Sequence, residues 1–171
     1  MTGIPGSITC PFVVVADTRE QHVYTFEGLW SGAAGKSPRL IIPVVREALD
    51  TGDYSILGYP GIAIERKSKE DLYQSVNRKR ENFESRLSRM SALDWAAVVI
   101  EAEWLELLTA PPPHTKFRPK SLARTVQAWQ IRYPRVHWLT MPGRSHAEAW
   151  TFRLLERYWK ERQRAATQSA G

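Results

Sequence analysis

The sequence predicts an α/β protein in which a central mixed β-sheet is flanked by helices. Three observations lead there. Two short, wholly apolar runs, Pro11–Ala16 (PFVVVA) and Trp95–Ile100 (WAAVVI), have the pattern of strands buried on both faces. Apolar residues elsewhere recur mostly at helical spacing, as in Leu72, Val76, Phe83, Leu87 and Met90. A third stretch, GDYSILGYPGIAIERKSKED from Gly52 to Asp71, combines alternating apolar residues with a strong turn signal and reads as a β-hairpin.

Bulk composition sets the frame for these elements. A chain of 171 residues is long enough for one domain with a full core and too short for two comfortable ones. With 43% hydrophobic and 25% charged residues it falls in the ordinary globular class. No apolar run approaches a membrane span and no signal segment opens the chain, so a cytoplasmic protein acting without a membrane is expected. Cys10 is the single cysteine, which excludes an intramolecular disulfide and a cysteine-rich zinc site. His22, His114, His137 and His146 lack the spacing of a zinc enzyme. The net charge of +6 favours a polyanionic partner without identifying it.

In chain order, residues 1–10 read as an irregular lead-in and 11–164 as the domain. PFVVVA forms the first strand and runs into Asp17-Thr18-Arg19-Glu20. A loop rich in Gly, Ser and Pro follows over 31–38, and a helix is expected over Arg39–Leu49. After the hairpin comes the long helical zone, then WAAVVI, ending in Glu101. The Ala-Pro-Pro-Pro-His segment after Thr109 cannot be helical. A helix is expected over Pro119–Tyr133 and a strand over Arg135–Leu139. An amphipathic helix is expected over Ser145–Arg162, its stripe formed by Ala149, Trp150, Leu154, Leu155 and Tyr158. Residues 165–171 are small and polar and read as a flexible tail.

The hairpin can be tested by register. Centred on Tyr59, it pairs Tyr54 with Ile64 and Ile56 with Ile62 on one face. The other face then carries Ser55 opposite Ala63 and Asp53 opposite Glu65, with Lys67 two residues further along. A slip by one residue would mix the faces, which burial opposes. Carboxylates on directly opposed residues, whose Cβ atoms lie about 4.5–5.5 Å apart, repel unless a proton or a cation intervenes. Lys67 offers partial relief, and a hard divalent cation such as Mg²⁺ or Mn²⁺ offers more. Two carboxylates and a lysine so placed suit metal-assisted phosphodiester hydrolysis. A surface ladder of Asp, Glu and Lys at a sheet end satisfies the same pattern.

Beyond the register, VVADTRE, GDY and ERKSKEDL, in that order, resemble the nuclease domain of XPF-type structure-specific endonucleases. Those belong to the restriction-endonuclease-like PD-(D/E)xK superfamily. The resemblance extends over about residues 11–160 and includes WAAVVIEAE and RTVQAWQIRYPRVHWL. It implies a restriction-endonuclease-like three-layer fold and a Mg²⁺-dependent DNA endonuclease, with Mn²⁺ expected to substitute. It implies Asp53 and Glu65 as metal ligands, a third ligand in the backbone carbonyl of Arg66, and Lys67 as the catalytic lysine. Asp17 is implied to approach the same site as a further catalytic and metal-binding carboxylate, with Arg19 and Glu20 lining it. Asp71 is implied as a catalytic or ligand-orienting carboxylate; Ser68-Lys69-Glu70-Asp71 also reads as a helix-capping box, and both roles can coexist.

Outside that cluster the basic surplus grows. Arg78, Lys79, Arg80, Arg86 and Arg89 are candidates for gripping the DNA backbone, as are Lys116 and Arg118 on the Pro-rich loop. Solvated helix faces paired with residues such as Glu84 explain the first group equally well. Larger relatives add a tandem helix-hairpin-helix module, which this sequence lacks. It resembles a compact, stand-alone version of the kind found in bacteria and phages, leaving open the preference for flap, fork or junction DNA in repair or recombination. A homodimer or an accessory DNA-binding protein is also compatible. Two other functions stay open: a catalytically silent DNA-binding or partner-stabilising subunit, and another PD-(D/E)xK nuclease acting on linear DNA.

Overall fold

A computed structural model describes residues 6–169. The first apolar run supplies β2 (Val14–Asp17), preceded by a short β1 (Ser7–Thr9). Strands β3 (Arg39–Ile41) and β4 (Val44–Glu47) follow, then the hairpin β5 (Tyr54–Ile56) and β6 (Tyr59–Lys67). Helices α1 (Lys69–Ser75) and α2 (Arg80–Met90) lead to β7 (Trp95–Ile100). The chain closes with α3 (Trp104–Thr109), α4 (Pro119–Arg132), β8 (Val136–Thr140) and α5 (Arg144–Ser169).

Six strands form one mixed sheet in the order β4-β2-β5-β6-β7-β8. Strand β5 runs antiparallel to both its neighbours, while β2–β4, β6–β7 and β7–β8 are parallel pairs. Consequently β2, β6 and β7 all end at the same edge, where β5 begins. Alternation along the strands divides the apolar residues into two cores. Ala16, Tyr54, Ile64 and Val99 pack with Phe152 and Leu155 of α5 on one face. Val98 and Ile100 pack with Leu72, Phe83, Leu87 and Trp129 from α1, α2 and α4 on the other. Helices thus cover both faces, giving the three-layer α/β fold that the sequence predicts.

Three of these expectations need correction, and one helix was missed. The helix expected over Arg39–Leu49 is instead β3 and β4. Its central Ile41-Ile42-Pro43-Val44-Val45 joins β-branched residues, which lose rotamer freedom in a helix, to a proline that breaks one. The lead-in is not wholly irregular, because Ser7–Thr9 pair in parallel with β3; residues 1–5 of that call lie outside the described ones. Helix α5 continues through Ala165 to Ser169, positions assigned to the tail by composition; residues 170–171 of that tail lie outside the described ones. Helix α3 was not expected at all.

The hairpin differs in its turn. Tyr54 faces Ile64 as expected, but Ile56 faces Tyr59, so the tight turn is Leu57–Gly58. Gly58, at φ +79°, takes the left-handed conformation such a turn requires. The register shifts before Tyr54 is reached from the turn, across a stretch where Pro60 has no N–H for the ladder. Ser55 Oγ donates to the Ile62 carbonyl at 2.7 Å within that irregularity. Tyr54, Ile56, Ile62 and Ile64 nevertheless share the same core.

Candidate active site

Polar residues gather where β2, β6 and β7 end, around a cavity of about 700 Å³. Asp53 arrives there because the Gly52–Asp53 peptide docks on β6: the Asp53 N–H donates to the Ile64 carbonyl at 2.8 Å. Gly52 has φ +78°, and a Cβ there would lie 3.0 Å from Ala63 Cβ and 3.3 Å from the Ile64 carbonyl oxygen. The glycine of the GDY motif is therefore a requirement of close backbone approach. Pleating places Glu65 and Lys67 on the face of β6 that carries the α2 core, with Glu65 fully buried.

The three predicted site residues converge. Lys67 Nζ lies 2.8 Å from Glu65 Oε1 and 4.7 Å from the centroid of the Phe83 ring. Asp53 Oδ2 accepts the backbone N–H of Arg66 at 2.7 Å, which orients the carboxylate. Burial, then the Glu65 carboxylate, push the Asp53 carboxyl well above its usual range. The pair is thus one that a cation would relieve.

The other predicted residues border the same cavity with different engagements. Asp17 is buried, and both its oxygens are in use: Oδ1 accepts from Arg19 N and Nε at 2.8 Å each, Oδ2 from Arg19 Nη2 at 2.8 Å and Leu49 N at 2.7 Å. Burial pushes that carboxyl up, but these hydrogen bonds outweigh it and hold it at about 2. Glu20 lies beside the Arg66 guanidinium, at 3.6 Å. Asp71 completes a reciprocal cap: its N–H donates to Ser68 Oγ at 3.1 Å, and the hydroxyl donates back to Asp71 Oδ2 at 2.9 Å. It lines the cavity as well.

Of the basic residues, Arg86 turns inward, its Nη1 2.5 Å from Glu65 Oε1. Lys79 borders the cavity and Arg78 a smaller neighbouring pocket. Arg80 pairs with Glu84 at 3.0 Å, one turn along α2. Arg89 donates to the Asp50 carbonyl at 3.2 Å. Lys116 and Arg118 are exposed before α4, away from the cavity lining.

Sequence reasoning missed Glu101, Tyr24 and Arg144. Glu101, directly after β7, grips Arg66 with both oxygens, at 2.7 Å to Nε and 2.7 Å to Nη2. Its Oε1 also accepts from the Tyr24 hydroxyl at 2.9 Å and Arg144 Nη1 at 3.2 Å. A charge ending a buried run marked Glu101, as it marked Asp17. Arg144, at the start of α5, had no such sign.

Among the described residues no group of three or more His, Cys, Asp or Glu side chains is disposed to hold a metal. A site here would take Asp53, Glu65 and a backbone carbonyl. One observation fits that role: Glu65 Oε2 is buried without a hydrogen-bond partner among the described residues. An orphaned carboxylate oxygen beside a second carboxylate is the donor set of a hard cation.

The mixed sheet with helices on both faces is the restriction-endonuclease-like architecture that the resemblance implied. Residues 16–154 match the ERCC4 domain, and the chain belongs to that family of divalent-metal, structure-specific DNA endonucleases. Its fold is similar to that of XPF from Aeropyrum pernix, with a TM-score of 0.61 and 21% identity over 91% of this chain and 68% of that one. The structure of XPF from Aeropyrum pernix in complex with DNA gives a TM-score of 0.62 and 21% identity, over 88% of this chain and 66% of that one. No curated protein matches by sequence.

Proposed function

We propose that this chain hydrolyses phosphodiester bonds in DNA with Mg²⁺ held by Asp53, Glu65 and the Arg66 backbone carbonyl, Mn²⁺ substituting. The observation that carries the proposal is the buried Asp53–Glu65 pair with Lys67 2.8 Å from Glu65 and one Glu65 oxygen unpartnered. When bound, the cation polarises the phosphate and acidifies the attacking water. Lys67, held against Glu65 and the Phe83 ring, places an ammonium where charge develops on the phosphate oxygens and orients the water. The Arg66 N–H fixes the direction of the Asp53 carboxylate. Arg19, with its side chain 67% exposed, and Lys79 supply positive charge at the rim for the backbone of the substrate. Asp17 braces Arg19 and the segment after β4 at Leu49, and Asp71 secures the start of α1 beside the cavity.

Linear, flap, fork and four-way DNA incubated with the protein and with Asp53→Ala, in Mg²⁺ or a chelator, test this reading. Cutting is expected from the wild type in Mg²⁺ alone, strongest on a branched substrate. No cutting of any substrate would support the silent-subunit reading, and equal cutting by Asp53→Ala would remove the site assignment.

A further inference from the structure

Arg86 is the basic side chain that the motif does not require and the structure draws into the acidic pair. Its Nη1 lies 2.5 Å from Glu65 Oε1 and 3.9 Å from Asp53 Oδ1, so one guanidinium bridges both carboxylates. Helix α2 cannot carry it away, because Phe83, Leu87 and Met90 anchor that helix in the core. The side chain itself is 36% exposed and borders the cavity. Its remaining N–H groups have no protein acceptor among the described residues.

Resting on the nuclease reading above, we propose that Arg86 makes cation binding at Asp53 and Glu65 conditional on a phosphate in the cavity. A divalent cation and the guanidinium require the same carboxylates and repel each other. Without a competing anion, the guanidinium stays on Glu65 Oε1 and its charge repels a cation taken by the free Oε2 and Asp53, which weakens cation binding. A phosphodiester entering the cavity offers Arg86 two oxygens in the forked geometry that guanidinium prefers. Arg86 then turns to the phosphate and leaves the carboxylates to the cation. Linkage makes the effect reciprocal: the cation strengthens DNA binding by the factor through which DNA strengthens cation binding. The site thereby arms itself on substrate and holds free cations more weakly. Lys67 does not supply this coupling, since it sits against the Phe83 ring with 12% of its side chain exposed.

Mn²⁺ alone, followed by the loss of the free-ion electron paramagnetic resonance signal, measures the first half. Arg86→Met and Arg86→Gln remove the charge, the second keeping a hydrogen-bond donor for Glu65; circular dichroism identifies the folded variants. Either folded variant should bind Mn²⁺ about tenfold more tightly than wild type, inside the 5–150-fold span of ordinary coupling. Arg164→Met, on the far part of α5, should bind as wild type does. For the second half, anisotropy of a labelled phosphorothioate duplex is read with Mn²⁺ and with chelator. The gain in DNA affinity from Mn²⁺ should be at least about fivefold in wild type and clearly smaller in the variants. Unchanged or weaker Mn²⁺ binding by the Arg86 variants would overturn the proposal, as would an undiminished gain. Wild-type Mn²⁺ binding that survives Asp53→Ala with Glu65→Ala would instead overturn the site reading beneath it.

Discussion

Replacing Glu101 by alanine tests how the sheet edge is held together. Glu101 and Arg66 each leave only 7% of the side chain exposed, and the pair is bidentate at 2.7 Å. The substitution strands the Arg66 guanidinium with Glu20, 3.6 Å away, and removes the acceptor of the Tyr24 hydroxyl. Breaking a buried pair in this one-sided way costs about 3–5 kcal/mol. In a chain of this size each kcal/mol lowers Tm by about 2–4 °C, so a fall of roughly 6–20 °C is expected. Chemical denaturation followed by tryptophan fluorescence gives the free energy directly. Replacing both partners, Arg66→Met with Glu101→Leu, should recover most of the loss, since apolar residues then fill the space without an unpaired charge. A loss below about 1 kcal/mol for Glu101→Ala, the level of a surface ion pair, would refute the view that this network is a buried brace.

Three further outcomes are expected. Lys67→Met should lower the cleavage rate at least about a hundredfold in initial-rate assays while the circular dichroism spectrum is retained. Gly52→Ala should destabilise the fold by about 1–3 kcal/mol in urea unfolding, because its φ of +78° and the 3.0 Å approach to Ala63 leave no relaxed place for a methyl group. Asp17 contributes a pH-dependent term: its carboxyl is held at about 2 against the usual 3.8. A depressed carboxyl stabilises the fold above its unfolded value, and that stability fades as pH falls from 3.8 through about 2. Asp17→Asn should therefore cost about 2 kcal/mol at pH 7, with the difference from wild type closing near pH 2 in parallel thermal melts.

Much of the site was readable from local pattern because side chains on a strand alternate faces with period two. Burial of Ile62 and Ile64 on one side forces Glu65 and Lys67 to the other, and Tyr54 opposite Ile64 carries Asp53 with it. Errors arose where local pattern is ambiguous. The Arg39–Leu49 run is short and apolar, and its strand identity depends on pairing with β1 and β2. The hairpin turn moved because Gly58 and Pro60 both signal turns, and the ladder decides between them.

The sequence by itself determined which residues alternate, which run is buried, and that two carboxylates and a lysine share one face of a strand pair. Those are properties of the pleat and of apolar burial, set over a few neighbouring residues. Only the tertiary structure decided that Arg86 reaches Glu65 across 21 residues, or Glu101 Arg66 across 35. Such pairings depend on how a helix packs on the sheet and how parallel strands align at their ends. No periodicity in the chain encodes those distances.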